Sequence, residues 1–190
     1  YNLAAALTAL GSAGHPLDEA CNALGEIEPP PGRMQWLGGR GRPVVVVDYA
    51  HTPDALHQAL NAITGLVRGN LWCVFGCGGD RDTHKRSQMG TIAEQFADHL
   101  IVTDDNPRTE ASAKIIGDIL SGVVRRDKVT VEAERARAIA HAISHAGPED
   151  LVLVAGKGHE AFQERNGVWT PFCDVREVRG ALQRYAGASS

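Results

Sequence analysis

What this sequence lacks narrows its class before any motif is read. No apolar run reaches the roughly 18 residues that a membrane-crossing helix needs. No basic segment followed by an apolar core opens the chain, so no secretion signal is visible and a cytoplasmic location is expected. Positive charge is not in excess: 19 Lys and Arg stand against 23 Asp and Glu, for a formal net charge of −4. That balance argues against a nucleic-acid backbone as the main ligand. None of the four cysteines, Cys21, Cys73, Cys77 and Cys173, forms a CxxC pair. A structural zinc site is therefore disfavoured, and scattered thiols fit a reducing compartment. The phosphate-binding motif GxxxxGK[ST] occurs nowhere, and neither internal repeats nor low-complexity tracts are present.

What remains is a globular composition, with 43% hydrophobic and 22% charged residues. "YNLAAALTALGSAG" reads as a helix already under way, so the 190 residues are expected to be the later portion of a longer protein. Two short helices are predicted over 2–13 and 16–26, with Gly14 ending the first and Pro16 in the first turn of the second. "EIEPPPGR" (26–33) holds three consecutive prolines, which cannot continue a helix and form a stiff spacer. The domain division is therefore 1–31 and 32–190.

Beyond the spacer, "MQWL" and "PVVVVDYA" flank the glycine-rich turn "GGRGR" as a hairpin would. Strand-like runs at Leu71–Gly76, Leu100–Thr103, Val129–Glu132 and Leu151–Ala155 then alternate with helical spacing over 53–68, 86–98, 111–126 and 134–146. A last strand near 168–172 and a helix near 174–186 complete the pattern. Near-continuous apolar runs indicate strands buried on both faces. The alternation predicts an α/β fold: a Rossmann-like open, mostly parallel sheet with flanking helices and an N-terminal hairpin. In such sheets ligands bind beyond the carboxyl ends of the strands.

Those ends carry unusual chemistry. "DYAHTPDA" (48–55) places Asp48 and His51 at the ligand edge, while Thr52, Pro53 and Asp54 are explained as an N-cap, an N1 proline and a dipole-favoured acid. "GCGGDRDTHKR" (76–86) offers three glycines for close backbone approach, with Arg81 and Lys85 nearby. "VTDDNPRTE" (102–110) brings Asp104 and Asp105 to the edge and sets Arg108 on a loop stiffened by Pro107. Such an arginine is a fork for a carboxylate. "GKGHEAFQ" (156–163) adds Lys157, His159 and Glu160. Small basic groups elsewhere, such as Arg125, Arg126 and Lys128, read as solvated surface.

Two chemistries are compatible with these ends. Asp48, His51, Asp80, Asp104 and His159 are candidate ligands for a pair of metal ions in a hydrolase. Against this, Arg81, Lys85, Arg108 and Lys157 crowd the same loops. Those cations and the glycine amides suit a phosphate and a carboxylated small molecule, with the acids and amide holding an amine. The charge balance favours this zwitterion pocket. A binding module without chemistry stays open.

"DYAHTPDAL" (48–56), "FGCGGDRD" (75–82) with "KR" (85–86), "VTDDNPRTE" (102–110) and "VLVAGKGHE" (152–160) together resemble the C-terminal domain of the Mur ligases. The likeness is to the branch that makes the UDP-MurNAc-tripeptide, and it runs in order along nearly the whole chain. "GRM" (32–34) also fits, as does "YNLAAAL" (1–7) as the tail of the family's central ATPase domain. "DRDTHKRS" (80–87) departs from the common "DRDKGKRP" at Thr83, His84 and Ser87. The resemblance implies an ATP- and Mg²⁺-dependent ligase of peptidoglycan synthesis, which activates a UDP-linked muramoyl dipeptide as an acyl phosphate and joins an amino acid to it. "DNPR" marks meso-diaminopimelate rather than lysine, although a lysine- or glutamate-adding sister remains an alternative. By the same resemblance Arg81, Asp105, Asn106, Pro107, Arg108, Gly156 and Glu160 would contact that amino acid, and Asn2, Arg33, Asp48 and His51 would face the nucleotide. No metal ligand is assigned in this chain. The P-loop, the magnesium ligands and the catalytic residues are expected upstream of Tyr1, so the fragment alone is expected to be inactive. The implied partners are small molecules, with neither nucleic acid nor membrane, and a monomer is expected.

Overall fold

The computed structural model describes residues 2–25 and 30–186. They form two compact units, Tyr1–Pro30 and Pro31–Ser190. In the first unit α1 (Asn2–Ser12) packs on α2 (Leu17–Gly25), and Gly14 turns between them at φ +89°. Asp18 and Glu19 stand in the first turn of α2, where the helix dipole favours acids. Residues 26–29 of the expected spacer lie outside the described residues.

The second unit runs β1 (Gln35–Gly38), β2 (Val44–Asp48), α3 (Pro53–Thr64), β3 (Leu71–Phe75), α4 (His84–Phe96), β4 (His99–Val102), α5 (Ser112–Leu120), β5 (Val129–Val131), α6 (Arg135–His145), β6 (Leu151–Ala155), β7 (Phe162–Arg165), β8 (Val168–Pro171) and α7 (Asp174–Gln183). Six strands make one sheet in the order β1-β2-β6-β3-β4-β5. β1 is antiparallel to β2, and every other pairing in it is parallel. This is the expected α/β architecture.

Alternation along the strands divides the core into two layers. Val46, Cys73, Phe75 and Leu153 face α3, α4 and α5, meeting Leu56, Leu60, Met89 and Ile119. Val45, Val47, Val74 and Val154 face α6 and α7, meeting Ile139, Ile143 and Val178. Leu56, Leu60 and Ile63 are fully buried, and each such side chain contributes about 1.5–3 kcal/mol of apolar burial. At the start of α3, Thr52 Oγ1 accepts from Ala55 N at 3.3 Å and Pro53 fills N1, so the capping reading of "TPD" holds. All four cysteines are free thiols, and burial pushes both Cys73 and Cys77 up to about 12.

Three expectations need correction. The run Val129–Glu132 is not buried on both faces: β5 is an edge strand, and Thr130 and Val131 are exposed. The helix expected over 111–126 stops at Leu120 because Gly122 packs directly on the Ser87 carbonyl, and the Glu94 carboxylate then captures the Val124 and Arg125 amides. The strand near 168–172 does not complete the main sheet. It pairs antiparallel with β7 in a separate two-stranded hairpin. Asn166 (φ +50°) and Gly167 (φ +74°) close it, both in the left-handed region that a tight two-residue turn requires.

Candidate functional site

The loops that follow β2, β3, β4 and β6 meet beyond the carboxyl ends of those strands. Glycine makes the approach possible. A Cβ atom on Gly76 would stand 2.2 Å from the Thr103 carbonyl, and one on Gly79 would stand 1.9 Å from that of Pro107. The turn after β3 is thereby laid on the loop after β4, and Gly79 N donates to Asn106 O at 2.9 Å. Asp80 completes the seam: its amide donates to Glu110 Oε1 at 2.7 Å, and its carboxylate accepts from Thr109 Oγ1 at 2.8 Å.

Behind the seam, Arg86 is fully buried at the start of α4. It donates to Glu110 at 2.7 Å, to Asp118 at 2.8 Å and to the Gly78 carbonyl at 3.1 Å. The Arg86 hydrogen bond, helped by the Asp80 amide, lowers the Glu110 carboxyl to about 2. Glu110 thus favours the folded state above the ordinary Glu range, and that contribution is lost as pH falls through about 2.

The loop 104–108 turns its two aspartates in different directions. Asp104 is buried and faces away from the cleft, accepting from Ser112 Oγ at 2.7 Å and Arg165 Nη2 at 2.7 Å. The expectation that both carboxylates reach the ligand edge is corrected accordingly. Asp105 does reach it. Its carboxylate accepts no hydrogen bond among the described residues, and the nearest cation is Lys157 Nζ at 3.8 Å. Burial pushes its pKa up, against the pull of Arg135 and Lys157.

Asn106 is nearly saturated by protein. Its Oδ1 accepts from Lys157 Nζ at 2.9 Å and Glu164 N at 3.0 Å, while Nδ2 donates to Glu160 Oε2 at 2.9 Å. Lys157 is fully buried and also reaches Glu160 at 2.8 Å. Glu160 is held below the usual carboxylate range by Lys157 and Asn106, which outweigh its burial.

Arg108 adopts φ +51°, a left-handed conformation that costs a non-glycine residue about 1–2 kcal/mol. Its N–H donates to Glu164 O at 3.1 Å and its carbonyl accepts from Asn166 N at 2.7 Å, so β7 and its turn hold it there. Nη1 donates to Gly79 O at 2.8 Å, and Nε faces Glu164 Oε2 at 3.2 Å. Nη2 makes no hydrogen bond among the described residues.

Arg81, Asp105, Asn106, Arg108, Gly156 and Glu160 all line one cleft of about 550 Å³. Pro107 does not; it borders a shallow hollow on the other side of the loop with Thr109 and Arg165. Of the residues assigned to the nucleotide, His51 lines the cleft beside Tyr49. The Tyr49 ring lies 4.6 Å from that of His51 and 5.0 Å from that of His159, with the Arg33 guanidinium 5.4 Å away. Asp48 is not turned into the cleft: its Oδ2 accepts from Met34 N at 2.8 Å, tying down the entry to β1. Asn2 lies in α1, and its side chain is outside what the structure describes. Lys85 lines the cleft and donates to His51 O at 2.7 Å.

Among the described residues no three His, Cys, Asp or Glu side chains are grouped to hold a metal. Asp48, Asp80 and Asp104 each have a carboxylate oxygen taken by a protein donor, and the five candidate hydrolase ligands do not converge among the described residues. The cleft instead sets Arg81, Lys85 and Arg108 against Asp82, Asp105 and Glu160. Three cations and three carboxylates lining one cleft suit a ligand that carries both signs. The sequence reading does not reach Tyr49, Gln163 or Glu164. The last two were findable, because Asn166-Gly167 between two strand-like runs is a hairpin signal.

The fold and this site define a class. Residues 32–158 match the family described as "Mur ligase, glutamate ligase domain", and the chain belongs to it. The UDP-N-acetylmuramoyl-L-alanyl-D-glutamate--2,6-diaminopimelate ligase of Pseudomonas aeruginosa is 54% identical over 181 residues, covering 95% of this chain and 37% of the relative. The ligase of the same name from Acidovorax sp. is 49% identical over 191 residues, covering 99% and 38%. A solved structure of a ligase of that name superposes with a TM-score of 0.77 at 43% identity, covering 96% of this chain and 38% of that one. The chain therefore spans little more than a third of the length of these relatives.

Proposed function

We propose that this chain is the amino-acid-binding portion of an ATP-dependent ligase that joins meso-diaminopimelate to UDP-MurNAc-L-Ala-D-Glu in peptidoglycan synthesis. The carrying observation is the state of Arg108. Protein groups fix two of its nitrogens, and the third remains for a ligand. Diaminopimelate differs from lysine by one carboxylate on its distal carbon. That group fits the open edge of the guanidinium, while Asp105 and Glu160 suit the neighbouring ammonium. Lysine would leave Arg108 unmatched, and sites built on such a contact reject the lacking analogue by about 10⁴-fold.

In the ligation, ATP phosphorylates the terminal carboxylate of the dipeptide, releasing ADP. The amine of diaminopimelate attacks the acyl carbon; a C–N bond forms, the C–O bond to phosphate breaks, and the amine loses a proton. The cleft residues orient the amino acid for that attack. In this reading the Mg²⁺ ligands and the ATP-binding loop belong to other parts of the protein. We assign Arg33 and His51, beside Tyr49, to the nucleotide side. No helix among the described residues is long and apolar enough to cross a membrane, which is compatible with cytoplasmic action on small substrates.

The test is competition between meso-diaminopimelate and lysine in the full-length ligase. Arg108→Ala is expected to lower the diaminopimelate-over-lysine ratio of kcat/KM by about 10²-fold or more. An unchanged ratio would overturn the assignment.

A further inference from the structure

The β7–β8 hairpin stands outside the main sheet, yet four successive residues of it reach the loop that carries Arg108. Gln163 Nε2 donates to Asp105 O at 2.7 Å. Glu164 N donates to Asn106 Oδ1 at 3.0 Å, and Glu164 O accepts from Arg108 N at 3.1 Å. Arg165 Nη2 reaches Asp104 Oδ2 at 2.7 Å, and Asn166 N donates to Arg108 O at 2.7 Å. The two backbone pairings with Arg108 hold the loop whatever the hairpin's side chains are. The side chain of Glu164 does something more specific, because among the described residues its only ion pair is with Arg108 Nε.

We infer that Glu164 is a positioning residue for amino-acid selection: it sets the rotation of the Arg108 guanidinium. This rests on the assignment of Arg108 above. An arginine side chain has several rotatable bonds, and a fork that sweeps freely selects poorly. With Nε held by Glu164 and Nη1 by the Gly79 carbonyl, two of the three nitrogens are fixed, and the plane of the guanidinium with them. Nη2 is left as the edge that meets the ligand. Arg108 and Glu164 are only about one-fifth exposed, so the pair is shielded enough to keep its geometry. Neither Gly79 nor the hairpin backbone can replace the Nε contact. Nε and Oε2 stand 3.2 Å apart as an ion pair rather than an aligned hydrogen bond, so the hold is the attraction of opposite charges.

The experiment uses three variants of the full-length ligase. Glu164→Ala is expected to raise KM for meso-diaminopimelate about tenfold and to lower its preference over lysine, with kcat and the KM for ATP little changed. Glu164→Gln, which keeps the size of the side chain but removes its charge, is expected to show most of the same loss, so that the effect follows the ion pair and not the packing. Equal melting temperatures exclude a merely loosened hairpin. Arg108→Ala runs alongside: if it loses the preference while Glu164→Ala keeps the parental KM and preference, the inference on Glu164 falls and the reading of the cleft stands. If Arg108→Ala itself keeps the preference, the reading falls and takes the inference with it.

Discussion

Gly156 stands directly beside the Asp105 carboxylate: a Cβ atom at position 156 would lie 2.6 Å from Oδ2. The backbone there has φ +120°, where side chains are strained in any case. One residue therefore supplies both a sharp turn after β6 and the space that the buried acid occupies.

Gly156→Ala should consequently damage the site before it damages the fold. The methyl group has to push Asp105 aside, since the carboxylate is the end of a short side chain on a stiff loop. The expected outcome is a KM for meso-diaminopimelate raised about tenfold or more, with a stability loss of about 1–3 kcal/mol. Steady-state kinetics and denaturant unfolding measure the two effects separately.

Asp105 itself is held at a cost to the fold. Its pKa lies above the ordinary value because burial outweighs the pull of Arg135 and Lys157. A carboxyl whose folded pKa exceeds its unfolded one makes the native state less stable as pH rises through the folded value. Asp105→Asn resembles the protonated form without the charge. It is expected to raise the melting temperature at pH 7 and to flatten this part of the pH dependence of stability. The same variant should bind diaminopimelate worse, because the ligand ammonium loses its counter-charge. A variant less stable than the parent at pH 7, measured by calorimetry, would contradict this reading of the buried acid.

The two halves of the site differ in how legible they are. Runs such as Leu71–Phe75 and Leu151–Ala155 announce buried parallel strands by their unbroken apolar character, and their ends point to the glycine turns. Arg81, Arg108 and Glu160 follow from that logic because ligands bind at strand ends. Pairing between loops is another matter. That Asp104 turns to Arg165 while Asp105 turns to the cleft depends on one step of backbone rotation, and adjacent aspartates look alike in a sequence. The bracing by Gln163 and Glu164 is a contact across more than fifty residues, set by a hairpin whose strands are short and largely exposed. Periodicity is silent there, and only the Asn-Gly turn marks it.

Beneath the cleft, Arg135 and Asp174 form a fully buried pair, with Nε on Oδ1 at 2.8 Å and Nη2 on Oδ2 at 2.8 Å. Each begins a helix on the same face of the sheet, α6 and α7 respectively. The arginine also donates to Ala155 O at 2.9 Å, at the end of β6, and lies 3.4 Å from Asp104 O just past β4. Removing one partner leaves the other charge buried without compensation. Asp174→Ala should therefore destabilise the domain by about 3–5 kcal/mol, well beyond the effect of an exposed ion pair. Replacing both, as in Arg135→Met with Asp174→Leu, should recover much of that stability, because no lone charge is left in the core. It should not recover amino-acid binding to the same degree, since the two carbonyls beneath Asp105 and Gly156 then lose their shared donor. Unfolding by denaturant, read beside the KM for diaminopimelate in the single and double variants, separates the fold's need for the pair from the site's.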